Sequence, residues 1–450
     1  MTKDELKQRI CESVDRRRSQ IEGIGDQIMV NPELGFKEFE TAKLVANTME
    51  EFGFQTETGL ARTGVKAVLK GKNPGPTVAL IGELDSLGVA DHPMVNPETG
   101  AAHACGHNAQ IAGLMGAMMA IADTQAGEEL AGNVVFLAVP AEEYVEVEFR
   151  RDLVKGGEIT LLGGKCELIK QGHFDDIDVA MMIHTHSDST MKKTGVSTSS
   201  NGFVSKLIRF VGRAAHSGGS PHLGINALNA AQIAINAMHA QRETFRDSDA
   251  IRVHPIITKG GDIVNVVPAE VTMETYVRGR TKEAILDANA KVDRALRAGA
   301  MAVGAKVEIE TLPGYMPLAN DATMVDMFEQ NSEELFGEDE LTKVGHRTGS
   351  TDMGDVSHLI PAIHPMMAGA SGPGHSRDWH ISDKEMGYLG PAKSLAMMAV
   401  DLLYGDAEGA KAVMENHDPL MSKEEYLAFQ EGVFRTEVYD GETGTSEVES

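Results

Sequence analysis

At 450 residues, the chain is too long for a single hydrophobic core and predicts two domains or three. Its net charge of −26 argues against a nucleic-acid partner, and no apolar run approaches the roughly 18 residues that would predict a membrane span. The charged N-terminus lacks an apolar signal region and the 3 cysteines make no disulfide framework, so we expect a cytoplasmic protein.

Helices and strands alternate in the first part of the chain. Apolar residues recur at helical spacing over residues 1 to about 60, which predicts helices. Apolar, β-rich runs at 77–82, 133–139 and 178–183 predict strands covered on both faces, and small residues at 106–123 predict a helix. This alternation predicts an α/β fold with a mostly parallel sheet.

The pattern changes near Val196. The order β-α-β-β-α-β that follows is typical of a ferredoxin-like α+β unit. We therefore predict a catalytic domain built from residues 1–195 and 316–450, with a lid and dimerisation domain inserted at 196–315. The last residues, about 25 in number, are acidic and polar and are expected to be a loosely held tail.

Side chains that commonly bind metals follow the predicted strands directly. They are Glu83 and Asp85 after one strand, Glu142 and Glu143 after the next, and His184 after the third. Because sites in open α/β sheets form at the carboxyl ends of strands, we expect these side chains to share one site. His186 lies two residues beyond His184 and is an alternative to it.

Cys105 and His107 begin the predicted small-residue helix, with a glycine between them. A thiolate and an imidazole at this spacing can bind one divalent metal; a core thiol beside surface histidines is the alternative explanation. His375 adds another ligand-type residue far downstream. Dispersed clusters of this kind are hard to explain by core packing and predict a metal site.

Several motifs together resemble the M20 family of metallopeptidases and amidohydrolases, in particular its aminoacylase-like branch. The motifs are NPELGFKE (31–38), ACGHN (104–108), PAEE (140–143), GRAAH (212–216), SPHLGIN (220–226) and GDIVNVVP (261–268). GSTDMGDVS (349–357), followed by Gly374 and His375, is most similar to the aminobenzoyl-glutamate hydrolases of that branch. The resemblance extends over nearly the whole chain.

The resemblance implies roles for individual residues. The implied metal ligands are Cys105, His107, Glu143, His184 and His375. Glu142 is implied as the general base, and His216 resembles a histidine that reaches the neighbouring subunit's site and stabilises the tetrahedral intermediate. Asn265 and Arg278 resemble lid positions that contact a substrate carboxylate.

The chemistry of amide hydrolysis suits this set. A divalent metal lowers the pKa of its bound water towards about 7 and polarises the carbonyl. Glu142 and Glu143 are adjacent and point in different directions, so one can bind metal while the other takes the water proton and delivers it to the amine. Asp85 is suited to orient a ligand histidine through its free ring N–H.

Three departures from the family pattern concern the second metal and the pocket. Asn108 stands where most of the branch has aspartate, and Glu83 with Asp85 occupies the place of an Asp-x-Asp or His-x-Asp motif. Glu146 and Glu148 follow where the family usually has small residues, which predicts an atypical pocket.

The function expected is metal-dependent hydrolysis of an N-acyl or N-aroyl amino acid with a free carboxylate, such as an aminobenzoyl-glutamate-like compound. The alternatives are a hydrolytic deaminase of an aromatic amine and a non-catalytic metal-binding protein. Cys105 favours zinc, whereas carboxylates and imidazoles also accept manganese, so one or two Zn²⁺ or Mn²⁺ ions are expected. A homodimer through the inserted domain is expected because a ferredoxin-like unit offers a sheet edge or a helix pair for self-association. Hinges near 192–200 and 312–318 would let that domain close over substrate.

Overall fold

The computed structural model describes residues 1–449. Its helices are α1 (Lys3–Arg16), α2 (Arg18–Met29), α3 (Phe39–Glu51), α4 (His107–Asp123), α5 (Val147–Lys155), α6 (Gly164–Gln171), α7 (Ala227–Ala240), α8 (Lys282–Val303), α9 (Ala322–Phe336), α10 (Met353–Ser357), α11 (Gly390–Leu403), α12 (Glu408–Glu415) and α13 (Lys423–Val433). Its strands are β1 (Thr56–Leu60), β2 (Gly64–Lys70), β3 (Asn73–Glu83), β4 (Leu87–Gly88), β5 (Ala101–Ala102), β6 (Ala131–Val139), β7 (Val179–Met182), β8 (His184–Thr185), β9 (Thr194–Ser200), β10 (Gly202–Val211), β11 (Arg252–Val253), β12 (Ile256–Lys259), β13 (Glu270–Gly279), β14 (Lys306–Pro313), β15 (Leu341–Arg347), β16 (Ala362–Ile363), β17 (Met366–Met367), β18 (Ala370–Ser371), β19 (His380–Ile381), β20 (Arg435–Asp440) and β21 (Thr445–Glu449).

The first sheet has the strand order β1-β2-β6-β3-β7-β16. Strands β6, β3, β7 and β16 run parallel, while β2 is antiparallel to β6 and β1 is antiparallel to β2. Strands β3 and β6 are buried over most of their length, as their nearly unbroken apolar sequences require. The predicted α/β fold with a mostly parallel sheet is confirmed.

Helix α4 packs against β3 of this sheet and against the helices α11 and α2, and it is buried almost throughout. Its glycines allow the close packing: a Cβ on Gly113 would lie 2.8 Å from Pro391 Cβ, and one on Gly116 would lie 2.7 Å from Ala392 Cβ. The helix therefore sits tightly against its neighbours, and its first residue, His107, is held at the carboxyl edge of the sheet.

The second sheet is antiparallel. Strands β11 and β12 both pair with β13, and β10, β14, β20 and β21 follow in that order. Helices α7 and α8 share a core with it that includes Ala230, Ala234 and Leu296. Residues 202–313 thus contain the predicted order β-α-β-β-α-β, with the short strand β11 added at one edge.

The C-terminal residues pair with the second sheet, so the expectation of a loosely held tail is wrong. Strand β20 pairs with β14, and β21 pairs with β20. Glu437 and Tyr439 are the buried residues of β20, and Arg297 of α8 lies 2.9 Å from the Glu437 carboxylate. Because one of the two inward residues is an acid with a distant partner, the segment lacks the apolar alternation that predicts a strand. The boundaries at residues 195 and 315 stay a prediction.

A third, small sheet has the order β15-β9-β17-β8 and connects the other two. Strand β8 directly follows β7 of the first sheet, and β9 leads through Asn201 into β10 of the second. Arg347, the last residue of β15, pairs in parallel register with Ser200, the last residue of β9. Within residues 1–449, no helix combines the length and the apolar character that crossing a membrane requires.

Candidate metal centre

The ligand-type residues meet at the carboxyl edge of the first sheet. Glu83 ends β3 and pairs with Val139, the last residue of β6, so Glu142 and Glu143 follow at the same level. His184 begins β8, just after β7 on the other side of β3. The parallel register therefore brings together side chains that are far apart in sequence.

Asp85 connects two members of this cluster. Its Oδ1 lies 3.1 Å from His107 Nδ1, and its Oδ2 accepts a hydrogen bond of 2.8 Å from the Glu143 backbone N–H. The Asp85 carbonyl oxygen also lies 2.9 Å from His107 Nδ1. Because both acceptors face Nδ1, the imidazole presents Nε2 to the site, as expected for a ligand histidine oriented by a carboxylate.

His107 Nε2 is buried and forms no hydrogen bond of good geometry within residues 1–449, although Glu83 Oε2 lies 3.1 Å away. Gly106, just before it, has φ of 111° at the start of α4. This left-handed turn favours glycine, and a Cβ there would lie 3.0 Å from Thr185 Cβ. The turn places the side chains of Cys105 and His107 at one end of α4.

Cys105 and His184 form the next part of the cluster. Cys105 Sγ lies 3.3 Å from His184 Nε2, and His184 Nδ1 lies 2.7 Å from the Thr185 carbonyl oxygen. His186 does not join them: its Nε2 lies 3.1 Å from the Lys192 carbonyl oxygen. Of the two candidate histidines, the fold brings His184 to the thiol.

His375 completes the cluster from the far end of the chain. Its Nε2 lies 3.4 Å from Glu143 Oε1, a buried oxygen without a hydrogen-bond partner in residues 1–449. The His375 backbone has φ of 57°, and its N–H donates to the Ala104 carbonyl oxygen at 2.8 Å. The imidazole is thus held beside Cys105, although its side chain is 56% exposed.

These residues form overlapping groups whose possible ligand atoms lie within 4.8 Å of one another. The groups are Cys105 with His107 and His184, Cys105 with Glu143 and His375, and Glu83 with His107 and Glu142. Thiolate, imidazole and carboxylate groups are the ligands that Zn²⁺ and related ions use. The unpartnered His107 Nε2 and Glu143 Oε1 fit such an ion, which would satisfy both buried atoms.

The electrostatics of the cluster reflect its burial. Burial raises the pKa of the Glu142 carboxyl well above its usual value, and the charges of Glu83 and Glu143 raise it further. Burial also raises the pKa of the Cys105 thiol, with Glu143 adding to the effect. Burial and the nearby His107 lower the pKa of His184 to about 4, so its neutral form is favoured.

Lys165 was missed by the sequence reasoning. Its side chain is fully buried, with Nζ 2.6 Å from Glu83 Oε1 and 2.5 Å from Asp352 Oδ1. Burial alone lowers the pKa of this ammonium, but Asp352 and Glu83 together raise it above its usual value. Its partners come from distant segments, so no local pattern marks it. The preceding glycines, Gly163 and Gly164, do signal close packing, since a Cβ on them would lie 2.5 Å from the Tyr315 ring and 1.7 Å from the Pro140 carbonyl oxygen.

The cluster opens into a cavity of about 400 Å³ between the first and second sheets. The lining includes Cys105, Glu142, Glu143, His184 and His375 from the cluster, and Tyr144, Phe203, Tyr276 and Tyr315 as an aromatic wall. Arg278 of β13 also lines it, with its guanidinium 5.4 Å from the centre of the Tyr276 ring. The second sheet therefore contributes an arginine to the same cavity as the carboxylates.

Two other candidate residues, His216 and Asn265 of the inserted segment, lie elsewhere. His216 is in an exposed loop, where its Nδ1 accepts hydrogen bonds from the Gly218 and Gly219 backbone N–H groups at 3.1 and 3.0 Å. Asn265 lies in the exposed segment beside it, and its carbonyl oxygen accepts a hydrogen bond from Ser217 N–H. Neither residue lines the cavity of its own chain.

The unusual residues after the glutamate pair divide into two groups. Tyr144 and Val145 line the cavity. Glu146 instead pairs with Lys37 at 2.7 Å, and Glu148 lies in a separate depression on the second sheet. The atypical segment therefore changes the cavity through an aromatic ring rather than through added carboxylates.

Asn108, the other departure, donates through Nδ2 to the Gly25 carbonyl oxygen at 3.3 Å and to the Tyr388 hydroxyl at 3.2 Å. These contacts connect α4 to α2 and to the turn before α11. Asn108 therefore connects α4 to its neighbours through Nδ2, while its Oδ1 is buried without a hydrogen-bond partner among residues 1–449.

Comparison with known proteins places these features in a family. The family model described as "Peptidase family M20/M25/M40" matches residues 79–389. The chain is 26% identical to the Xaa-Arg dipeptidase of Mus musculus, covering 89% of this chain and 90% of that protein. It is 30% identical to one of the subunits of the p-aminobenzoyl-glutamate hydrolase of Escherichia coli, over 60% of this chain and 53% of that protein.

The fold is also similar to that of a solved structure, a dinuclear metal binding peptidase of the M20 family from Bacillus subtilis. The TM-score is 0.63 at 22% identity, covering 86% of this chain and 98% of that one. The family match extends over more than half of the chain and includes all the residues of the ligand groups. The protein is therefore a member of peptidase family M20/M25/M40, whose enzymes hydrolyse amide bonds.

Proposed function

We propose that this enzyme hydrolyses the amide bond of an N-acyl or N-aroyl amino acid that carries a free carboxylate, such as an aminobenzoyl-glutamate-like compound. The observation that carries the proposal is that Glu142, the ligand cluster and Arg278 share one cavity. The cavity thus combines a base, a candidate metal site and a cation suited to a carboxylate.

The proposed metal ligands are Cys105, His107, Glu143, His184 and His375, holding one or two Zn²⁺ or Mn²⁺ ions. Their support is the convergence of their ligand atoms and the unpartnered His107 Nε2 and Glu143 Oε1. When bound, a divalent ion of this kind activates water and polarises a carbonyl oxygen.

Glu142 is the proposed general base. Its carboxylate takes a proton from the water whose oxygen attacks the amide carbon, and it delivers that proton to the nitrogen as the C–N bond breaks. The Tyr315 hydroxyl donates a hydrogen bond to the Glu142 backbone carbonyl oxygen and so holds the residue at the cavity wall. Asp85 acts by orienting His107 and the Glu143 backbone.

Arg278 is the proposed partner of the substrate carboxylate in the same chain. We further propose that the protein is a homodimer through the inserted segment, with His216 and Asn265 acting at the partner's cavity. Their exposed loop carries large apolar side chains, Ile263 and Val264, that are 60% and 97% exposed, as expected of a contact surface. The cytoplasm is the proposed compartment, supported by three cysteines that are all free.

The test is metal content per chain together with release of amine from N-acyl amino acids, aminobenzoyl-glutamate and an arginine-containing dipeptide. We expect chelator-sensitive cleavage, and we expect Glu142→Gln to lower kcat by about a hundredfold or more with the metal content unchanged. Ammonia released only from aromatic amines would favour the deaminase, and bound metal without turnover would favour a binding protein.

The dimer is tested separately by light scattering and by mixing two inactive variants, His216→Ala and Glu142→Gln. If His216 acts at the partner's cavity, mixed dimers regain part of the activity because one of their two sites is intact. A monomer with full activity would contradict both the dimer and the role of His216.

A further inference from the structure

The cavity contains a second arginine, Arg347, which no motif singled out. Arg347 ends β15, on the catalytic segment, whereas Arg278 comes from β13 of the second sheet. Both residues line the same cavity. Substrate bound at the glutamate pair would therefore face a cation from each sheet system.

Arg347 has no carboxylate within 4.0 Å among residues 1–449. Its hydrogen-bond contacts are the thioether sulfurs of Met191 and Met366, which are weak acceptors. The acid that acts on it through space, Asp188, accepts hydrogen bonds from Thr190 at 2.9 and 2.7 Å. A guanidinium keeps its charge under all ordinary conditions, so this partly desolvated cation lacks a matching anion.

The wall around Arg347 carries further polar atoms without partners. Ser200 Oγ, Ser350 Oγ and His364 Nε2 are buried atoms with no hydrogen-bond partner in residues 1–449, and all three residues line the cavity. Ser200 is only 6% exposed and lies opposite Arg347 in the β9–β15 register. Buried polar groups are normally satisfied, so several unpartnered ones at one wall indicate a place for a polar ligand group.

We propose that Arg347, with the hydroxyls of Ser200 and Ser350, binds a second carboxylate, so that the enzyme's substrates are amides that carry two carboxylates. This inference rests on the proposed function and specifies its substrate class. Arg278 holds one carboxylate and Arg347 the other, and the planar guanidinium matches a carboxylate through two parallel hydrogen bonds. A cationic side chain is disfavoured at this wall because both arginines repel it.

The test uses substrate pairs that differ by one charge at nearly the same shape. N-benzoyl-glutamate is compared with N-benzoyl-glutamine, which places the second carboxylate on the amino acid. N-succinyl-glycine is compared with N-succinamoyl-glycine, which places it on the acyl group. We expect wild type to prefer the member with two carboxylates in one of the pairs by about tenfold to a hundredfold in kcat/KM, and the pair that shows the preference tells which side binds Arg347.

The variant is Arg347→Gln, and its matched control is Arg294→Gln, an exposed arginine on α8. Arg347→Gln should lose the preference mainly through KM while still hydrolysing the member with one carboxylate, and Arg294→Gln should keep the preference. Arg347→Lys, which keeps the charge but not the fork of donors, should restore part of the preference. Arg278→Gln should lower kcat/KM for both members of a pair alike, because both carry the carboxylate that Arg278 is proposed to bind.

Glutarate binding to the protein as purified, measured by calorimetry, separates failure of the two proposals. If no amide is hydrolysed, the proposed function is wrong. In that case the second carboxylate site is still supported if glutarate binds about tenfold more weakly to Arg347→Gln than to Arg294→Gln. Equal glutarate binding by both variants overturns it. Hydrolysis without a charge preference in either pair, or a preference that survives in Arg347→Gln, also overturns it and leaves the amidohydrolase in place.

Discussion

Replacing Lys165 by methionine should destabilise the protein strongly. The ammonium is fully buried between Glu83 and Asp352, at 2.6 and 2.5 Å. Removing it leaves two buried carboxylates without their cation, and breaking a buried ion pair from one side costs about 3–5 kcal/mol. We therefore expect Lys165→Met to lower the free energy of unfolding in urea by roughly that amount.

The double variant Lys165→Met with Asp352→Asn separates charge from packing. In the native protein, the backbone N–H of residue 165 donates a hydrogen bond to Asp352 Oδ2 at 2.9 Å. The asparagine side chain keeps an oxygen that can accept this bond, but it removes one of the two uncompensated charges. Stability should therefore recover by about 1–3 kcal/mol relative to the single variant. No recovery would mean that the loss arises from packing.

A surface pair supplies the matched control. Lys423 Nζ also lies 2.5 Å from a carboxylate, that of Asp175, but both side chains are substantially exposed. Lys423→Met should cost less than about 1 kcal/mol, because water and salt screen an exposed pair. Measuring all variants in chelator removes any contribution of bound metal. A loss below about 1 kcal/mol in Lys165→Met as well would refute the reasoning, because it would show that burial does not strengthen this pair.

Two further predictions concern stability. Burial and the nearby Asp352 raise the pKa of Asp355 to about 7 in the folded state. The unfolded state releases this proton at lower pH, near 4, so Asp355 lowers the free energy of unfolding as pH rises from about 4 to 7. Asp355→Asn should reduce this pH-dependent loss of stability by up to about 1.4 kcal/mol per pH unit, measured by urea titration at several pH values. Parallel pH profiles of stability for wild type and variant would contradict the prediction. Gly116→Val on α4 should lower stability by about 1–3 kcal/mol in thermal melting, since even a Cβ would lie 2.7 Å from Ala392 and 2.9 Å from Ile21. The control is Gly53→Ala: a Cβ there lies in open space, so this variant tests only the cost of its φ of 83°.

The sheet architecture and the position of the site were predictable because both follow from local patterns. Unbroken apolar runs identify strands that are buried on both faces, and ligand-type residues at their ends must meet when the strands are parallel. The choice between His184 and His186 was not predictable in this way. Residues two apart in an extended chain face the same side, and only the tertiary structure shows which one reaches Cys105.

Long-range charge pairs account for what the sequence did not reveal. Lys165 is placed by carboxylates 82 and 187 residues away, and the inward-facing Glu437 is neutralised by an arginine 140 residues earlier. An isolated lysine or glutamate has the pattern of a solvated surface residue, because the partner that makes burial tolerable is invisible locally. Arg347 was missed for the converse reason: its significance lies in a partner that the chain does not provide.

The return of the C-terminal strand limits how the two sheet systems can move. The chain crosses between them at Asn201, again after β14, and a third time between α13 and β20. With two crossings, one sheet system could rotate about the axis that joins them. A third crossing requires any such axis to pass close to all three connections, since otherwise the rotation strains one of the connections. Cutting the chain between Val433 and Arg435 should therefore widen the range of orientations. Because Phe434 packs against the cluster that contains Tyr144, Phe203 and Tyr315 of the aromatic wall, this short connection is a mechanical restraint that adjoins the cavity itself.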